Sequence, residues 1–137
     1  MPSPLLAEIE RYRPDLPLAE ACTPPASWYI DPRFLELELE TTFANTWQYA
    51  CRLDQVREPG QFVTLELAGE PLLVVRGNDG VLRGFFNVCR HHAAAVLTEP
   101  AGCVKRLRCP YHGWTYTLEG ALKAAPAFEG VQNFDPA

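Results

Sequence analysis

"NVCRHHAAAV", residues 87–96, sets a cysteine ahead of two adjacent histidines in a chain that has only three histidines. The third lies in "CPYHGW", residues 109–114, again just after a cysteine. How Cys89, His91, His92, Cys109 and His112 divide into ligands decides both the fold and the chemistry. Thiolate and imidazole are donors that zinc sites and iron–sulfur centres both use, so two readings are open. Cys89-x-x-His92 with Cys109-x-x-His112 makes a symmetric Cys2His2 tetrahedron for zinc. Zinc fingers, however, group their cysteines together and then their histidines, whereas here the order is Cys-His, then Cys-His. That order suits a binuclear cluster with both cysteines on one iron and both histidines on the other. In an extended loop, residues two apart point to the same side. Cys89 and His91 are then expected to face one centre, with His92 pointing away.

Working outward, the segments around these loops read as β-strands. "VLRGFFNV" (81–88) delivers the chain to Cys89, and "CVKRLR" (103–108) leads to Cys109. "TYTL" and "AL" form a hairpin about Glu119-Gly120. Upstream, "QFVTLEL" (61–67) alternates Val63, Leu65 and Leu67 against Phe62, Thr64 and Glu66, as a half-buried strand does. "PLLVV" (71–75) is a short buried strand that ends in the turn "GNDG" (77–80). In "DPRFLELELETTFANTW" (31–47), Asp31 is a helix N-cap with Pro32 at the first helical position. Leu35, Leu39, Phe43 and Trp47 recur every four residues along one helix face. The "LELELE" alternation also fits a strand, but the cap and the helix-forming Glu and Leu favour a helix. Leu5 to Tyr12 reads as a short helix, after which Pro14, Pro17, Pro24 and Pro25 interrupt the chain. The expected organisation is a partly helical arm over residues 1–45 and a mostly β, antiparallel domain over residues 46–137.

The bulk properties are consistent with that division. A chain of 137 residues is one domain with an arm, and its 13 prolines favour loops over long helices. A net charge of −5 argues against nucleic acid, since no basic stripe is present to displace counterions. The densest basic run, Lys105-Arg106-Leu107-Arg108, reads mainly as a solvated edge. No apolar run approaches the roughly 18–20 residues of a membrane helix, and no secretory signal is evident, so a cytoplasmic protein is expected. Five cysteines, Cys22, Cys51, Cys89, Cys103 and Cys109, are an odd number without framework spacing, which argues against a disulfide scaffold. Cys22, Cys51 and Cys103 are expected to be buried, inert thiols.

The two loops together resemble a known family. "CRH" at 89–91, seventeen intervening residues, and "CPYHGW" at 109–114 are similar to the ligand loops of Rieske [2Fe–2S] proteins. The resemblance implies an antiparallel β-sandwich with two cluster-binding hairpin loops. It also implies Cys89 and Cys109 on one iron, and His91 and His112 on the other. Rieske proteins of respiratory complexes carry an extra cysteine in each loop and a serine after "HG"; here neither cysteine is present and Trp114 follows Gly113. With fewer hydrogen-bond donors to the cluster, a low potential is expected. Loss of protons from the outer nitrogens of the ligand histidines makes that potential pH-dependent. Trp114 and Tyr111 are expected to cover the cluster. The stretch from "SWYIDPRF" onward, residues 27–137, resembles the N-terminal region of ring-hydroxylating and choline-monooxygenase-like oxygenase α subunits.

This resemblance implies an oxygenase component, an oxidoreductase that takes electrons from a reductase or ferredoxin. His112 would pass them to a mononuclear non-haem iron. That iron needs a 2-His-1-carboxylate site, and no histidine follows His112, so this chain has no catalytic residues of its own. The chain is therefore expected to be a fragment, a split subunit or a degraded gene, cut short where the family continues into closing strands. The full-length form would be a homotrimer. A free-standing Rieske ferredoxin and a structural zinc module are the rival readings. The chain departs from the family after the first ligand histidine, where His92-Ala93 replaces the usual Arg-Gly.

Overall fold

Side-chain alternation along residues 61–76 and a two-residue turn build the first hairpin. In the computed structural model, which describes residues 4–128 and 130–134, strand β1 (Gln61–Leu67) pairs with β2 (Glu70–Arg76). Ala68 and Gly69 join them at φ of 53° and 81°. Two successive left-handed residues make the turn whose twist matches a hairpin. β3 (Leu82–Phe86) returns along β2 after the predicted Gly77–Gly80 turn, and β4 (Ala101–Cys103) adds to the other edge, giving the order β3-β2-β1-β4. β5 (Leu107–Arg108), β6 (Thr115–Tyr116) and β7 (Leu122–Ala124) form a second sheet in that order. Every pairing is antiparallel. The chain divides into two units, Met1–Gln48 and Tyr49–Ala137, and both sheets belong to the second.

The sheets enclose one core. Phe62, Leu73 and Val75 come from the first sheet, Leu107 and Tyr116 from the second, and Cys89, Cys109, Trp114 and Leu118 from the segments between. Phe62 sits opposite Val75, so the core face of β1 is that of Phe62. Sequence alternation nominates Val63, Leu65 and Leu67 instead; these lie on the reverse face, where Val63 pairs with Val74 and Leu65 with Leu72. Both faces of β1 carry apolar residues, and alternation alone cannot choose between them. The segment "CVKRLR" is two strands rather than one. The chain turns at Lys105-Arg106, so that Cys103 ends one sheet and Leu107 begins the other. Two contacts tie the sheets at their far end. Glu119 Oε1 accepts from the Asn78 N–H at 3.0 Å, and the Phe85 ring lies over Gly120.

In the first unit, α1 (Pro4–Glu10) is followed by α2 (Ser27–Ile30) and α3 (Pro32–Glu38). Asp31 caps α3 as predicted, accepting from the Arg33 N–H at 3.0 Å with Pro32 in the first turn. The only buried residue of α3 is Phe34, stacked on Trp28, whose ring in turn meets the edge of Tyr12. The predicted face of Leu35, Leu39, Phe43 and Trp47 does not form. The helix widens at Leu39–Phe43 into a π-turn, and Trp47 is fully exposed. Thr41, Asn45 and Thr46 all hydrogen-bond back to carbonyls of the preceding turn, a competition that bends and ends helices. Among the described residues, no helix is long and apolar enough to cross a membrane.

Gly60 fixes the start of β1. Its φ is +84°, and a Cβ there would come within 2.2 Å of the Val104 carbonyl oxygen, a main-chain atom that cannot step aside. Gly69 has a similar φ, +81°, but open space around it. Gly60→Ala is expected to cost about 2–4 kcal/mol, strain plus overpacking, and Gly69→Ala only about 1 kcal/mol. Urea denaturation of the two variants checks the difference; equal losses would show that the contact with Val104 does not constrain the fold.

Candidate metal centre

The two histidine-bearing loops have the same main-chain construction. In the first, Cys89 N–H donates to Ala94 O at 2.8 Å and Ala93 N–H donates back to Cys89 O at 2.9 Å. In the second, Cys109 N–H donates to Trp114 O at 2.8 Å and Gly113 N–H to Cys109 O at 3.1 Å. The fourth residue after each cysteine is left-handed, with φ of 56° at Ala93 and 75° at Gly113. Each loop is thus a tight knuckle rather than an extended segment. The rule that residues two apart share a side does not hold in it, and the expectation that His92 points away is incorrect.

The knuckles sort their side chains by element. Cys89 and Cys109 lie at the base of each loop, are about 2% exposed, and form no disulfide. The Cys109 thiol lowers the Cys89 pKa, so the two sulfurs lie near one another. At the tips, His91 is half-buried, whereas His92 and His112 are exposed. The ring centroid of His91 is 4.8 Å from that of His112 and 3.8 Å from that of His92. Among the described residues, the donor atoms that gather within 4.8 Å of one another are those of the three imidazoles, with neither thiol among them. A single tetrahedral ion requires all four donors around one point. Sulfurs grouped at one end and imidazoles at the other fit a two-metal centre instead.

His91 Nδ1 is buried without a hydrogen-bond partner. A buried polar atom of that kind needs an explanation, and a metal bond satisfies it. Burial holds the His91 pKa below its ordinary value, and the neighbouring His92 and His112 lower it further. The ring is therefore neutral and available as a donor. Trp114 lies flat against it, the two planes differing by 1° at a centroid separation of 4.6 Å, with Phe128 and Phe134 packed beyond. Trp114 thus covers the site as expected. Tyr111 does not bury itself; it stacks on His112 at 3.8 Å and is largely exposed.

Two residues that the sequence analysis passed over shape the site. Tyr116 Oη lies 3.3 Å from Cys89 Sγ and accepts from the Arg90 N–H at 3.1 Å. Either group can donate in the contact between phenol and thiol; once the sulfur is a thiolate only the phenol carries a proton to give. Burial raises the Cys89 thiol pKa, but Tyr116, the main-chain N–H groups of His91 and His92, and Cys109 outweigh it, so the net value is lowered. The same burial and the contact with Cys89 push Tyr116 up to about 12. The signal in the sequence is the alternation Trp114, Tyr116, Leu118, all buried on the face that meets the cysteines. Asn87 is the other. Its amide donates to Leu97 O at 2.7 Å and accepts from the Val96 and Leu97 N–H groups, closing the base of the first knuckle.

Of the other cysteines, Cys22 and Cys103 are exposed and Cys51 is intermediate, so the expectation of three buried thiols fails.

The family profile of the Rieske [2Fe–2S] domain matches residues 46–135. The chain belongs to this family. It is 40% identical over 126 residues to the chloroplastic choline monooxygenase of Arabidopsis thaliana, spanning 92% of this chain and 30% of that protein. The crystal structure of a quaternary ammonium Rieske monooxygenase, CntA, in complex with L-carnitine superposes with a TM-score of 0.77 at 34% identity, covering 82% of this chain and 32% of that one. Naphthalene 1,2-dioxygenase from Rhodococcus sp. superposes at a TM-score of 0.75 and 33% identity, covering 80% and 25%. The chain therefore spans about a third or less of the length of these relatives. The expected β fold and the [2Fe–2S] cofactor are those of the Rieske family, and the donor set described above fits the cluster.

Ala93 occupies the left-handed position that Gly113 fills in the second knuckle. Ala93→Gly removes that strain, and a stabilisation of about 1 kcal/mol is expected. Thermal unfolding of the cluster-loaded chain measures it; an unchanged or lower midpoint would mean that Ala93 adopts this conformation at no cost.

Proposed function

We propose that this chain is the electron-transfer portion of an oxygenase component, with Cys89 and Cys109 holding one iron of the cluster and His91 and His112 the other. The single observation that carries the ligand assignment is the separation of two buried thiols from a group of imidazoles that includes the unpartnered His91 Nδ1. When bound, the cluster supplies a one-electron couple. The protein's part is to exclude water, through Leu118 and Tyr116 at the sulfur end and Trp114 over His91, and to leave the imidazole end open at His112. Electrons from a reductase or ferredoxin enter and leave at that end, where Arg90 and Arg108 flank the ligands and have no ion-pair partner among the described residues. His112 is the exit toward a mononuclear iron of the kind that oxygenases of this family hold in a part of their length this chain does not span. The oxygenase relatives favour this reading over a free-standing electron carrier. The full protein works as a homotrimer, and choline and L-carnitine are the first substrates to assay.

Iron and acid-labile sulfide analysis, with electron paramagnetic resonance of the reduced chain, tests the ligand set. Cys89→Ser, His91→Ala and His112→Ala are each expected to abolish the reduced-cluster signal, while His92→Ala keeps it. A cluster that survives His91→Ala but is lost in His92→Ala would reverse the assignment.

Tyr116→Phe removes the hydroxyl that faces Cys89 Sγ and leaves the ring packing in place. A hydrogen bond to a cluster sulfur favours the reduced, more negative state. Its loss is worth about 1 kcal/mol, which for a one-electron couple lowers the potential by about 40 mV. Protein-film voltammetry measures the shift; no change would show that the phenol does not donate to the cluster.

A further inference from the structure

The imidazole end holds one more donor than the cluster uses. A Rieske centre takes two histidines, yet His91, His92 and His112 all bring a ring nitrogen within 4.8 Å of the others. At position 92 this chain carries an imidazole, which binds a metal ion when neutral. We propose that His91, His92 and His112 form a three-histidine site for a single divalent transition-metal ion, Zn2+, which excludes the [2Fe–2S] cluster because His91 and His112 are common to both.

Three further observations support the assignment. First, His91 Nδ1 is buried with no hydrogen-bond partner among the described residues. Second, the thiols are held away from the imidazole group at the bases of the knuckles, so a lone ion at the tips meets nitrogen rather than sulfur. Third, His92 and His112 are exposed, so water has access to the fourth position of a tetrahedral ion. Three protein ligands plus one water is an arrangement zinc accepts. With Zn–N bonds of about 2.0–2.1 Å, the nitrogens of such a site lie about 3.4 Å apart. Reaching that spacing, from ligand atoms now within 4.8 Å of one another, requires the rings to reorient. The His92 ring lies beside that of His91, centroids 3.8 Å apart and tilted by 38°, so the two must part as they turn toward a shared ion.

The consequence concerns which metal the chain acquires. In a Rieske domain with two histidines, zinc at the tips has only two imidazoles to hold it. Here the third imidazole makes the single ion a competitor for the cluster, and His92 is the residue that decides between them. The proposal depends on the cluster ligands assigned above only for this competition; zinc binding itself does not.

Anaerobic reconstitution of the full chain with iron and sulfide, with and without one equivalent of Zn2+, tests it. Bound zinc is read by elemental analysis and the cluster by its paramagnetic signal after reduction. The wild-type chain is expected to take up one zinc and to lose cluster yield accordingly. His92→Arg, a change at an exposed ring, is expected to weaken zinc binding at least about tenfold and to make cluster yield insensitive to zinc. Equal zinc retention by His92→Arg and wild type overturns the proposal, as does failure of the wild type to bind zinc. If neither chain acquires iron and sulfide even without zinc, the cluster assignment fails, and the zinc measurement still decides this one.

Discussion

Four main-chain hydrogen bonds, two in each knuckle, determine what the rest of the molecule can do. Each pair closes a loop onto its own cysteine, from Cys89 to Ala93 and Ala94 and from Cys109 to Gly113 and Trp114. That closure turns the cysteine inward at the base and throws the next three side chains to the tip. The sorting of sulfur to the buried end and nitrogen to the open end is thus a product of loop geometry. Two such loops, brought face to face by separate strands, make a centre with chemically different ends. No long-range contact is needed to tell the ends apart.

The loops share a backbone but not a ligand position. In the second, the histidine is three residues after the cysteine, and Tyr111 occupies the position two after it, exposed and stacked on His112. In the first, both positions are histidine. A half-buried ring at one and an exposed ring at the other give His91 and His92 unlike environments despite their adjacency. His91 has Trp114 flat against it and a buried nitrogen without a partner; His92 has solvent. Environment, rather than distance from the cysteine, is what distinguishes the two rings.

Much of this was legible in the residues themselves. Cysteine–histidine spacing located both loops, the Gly77–Gly80 turn placed β2 against β3, and Asp31-Pro32 marked the start of α3. What could not be read has physical causes. β1 carries apolar side chains on both faces, so the identity of its core face depended on the register with β2. The helix after Asp31 carried an apolar period as far as Trp47, but side-chain hydrogen bonds from Thr41, Asn45 and Thr46 ended it sooner. "CVKRLR" alternates too weakly to reveal that it changes sheets midway. The knuckle conformation was hidden because Ala93, not glycine, takes the left-handed position in the first loop. With no glycine to mark a tight turn, the sequence of the first loop is equally that of an extended segment, in which His92 would face away from His91.

The frame behind the knuckles explains why such short strands suffice. β5 and β6 are two residues each, too short to be stable as an isolated hairpin. Their ends are fixed instead by groups that span the sheets. Asn87 ties the strand before Cys89 to residues 96 and 97, Tyr116 ties β6 to Cys89 and Arg90, and Glu119 ties the β6–β7 turn to the β2–β3 turn. Asn87 and Tyr116 are buried with their partners supplied by the opposite element, so neither can move without leaving a donor or acceptor unmet, whereas the Glu119 contact is exposed. A buried hydrogen bond that loses its partner costs about 1–3 kcal/mol, which holds the knuckle bases rigid while the tips stay open. A centre whose inner end is fixed and whose outer end meets solvent changes charge with little rearrangement of the protein around it. An electron carrier of the kind proposed above needs that property.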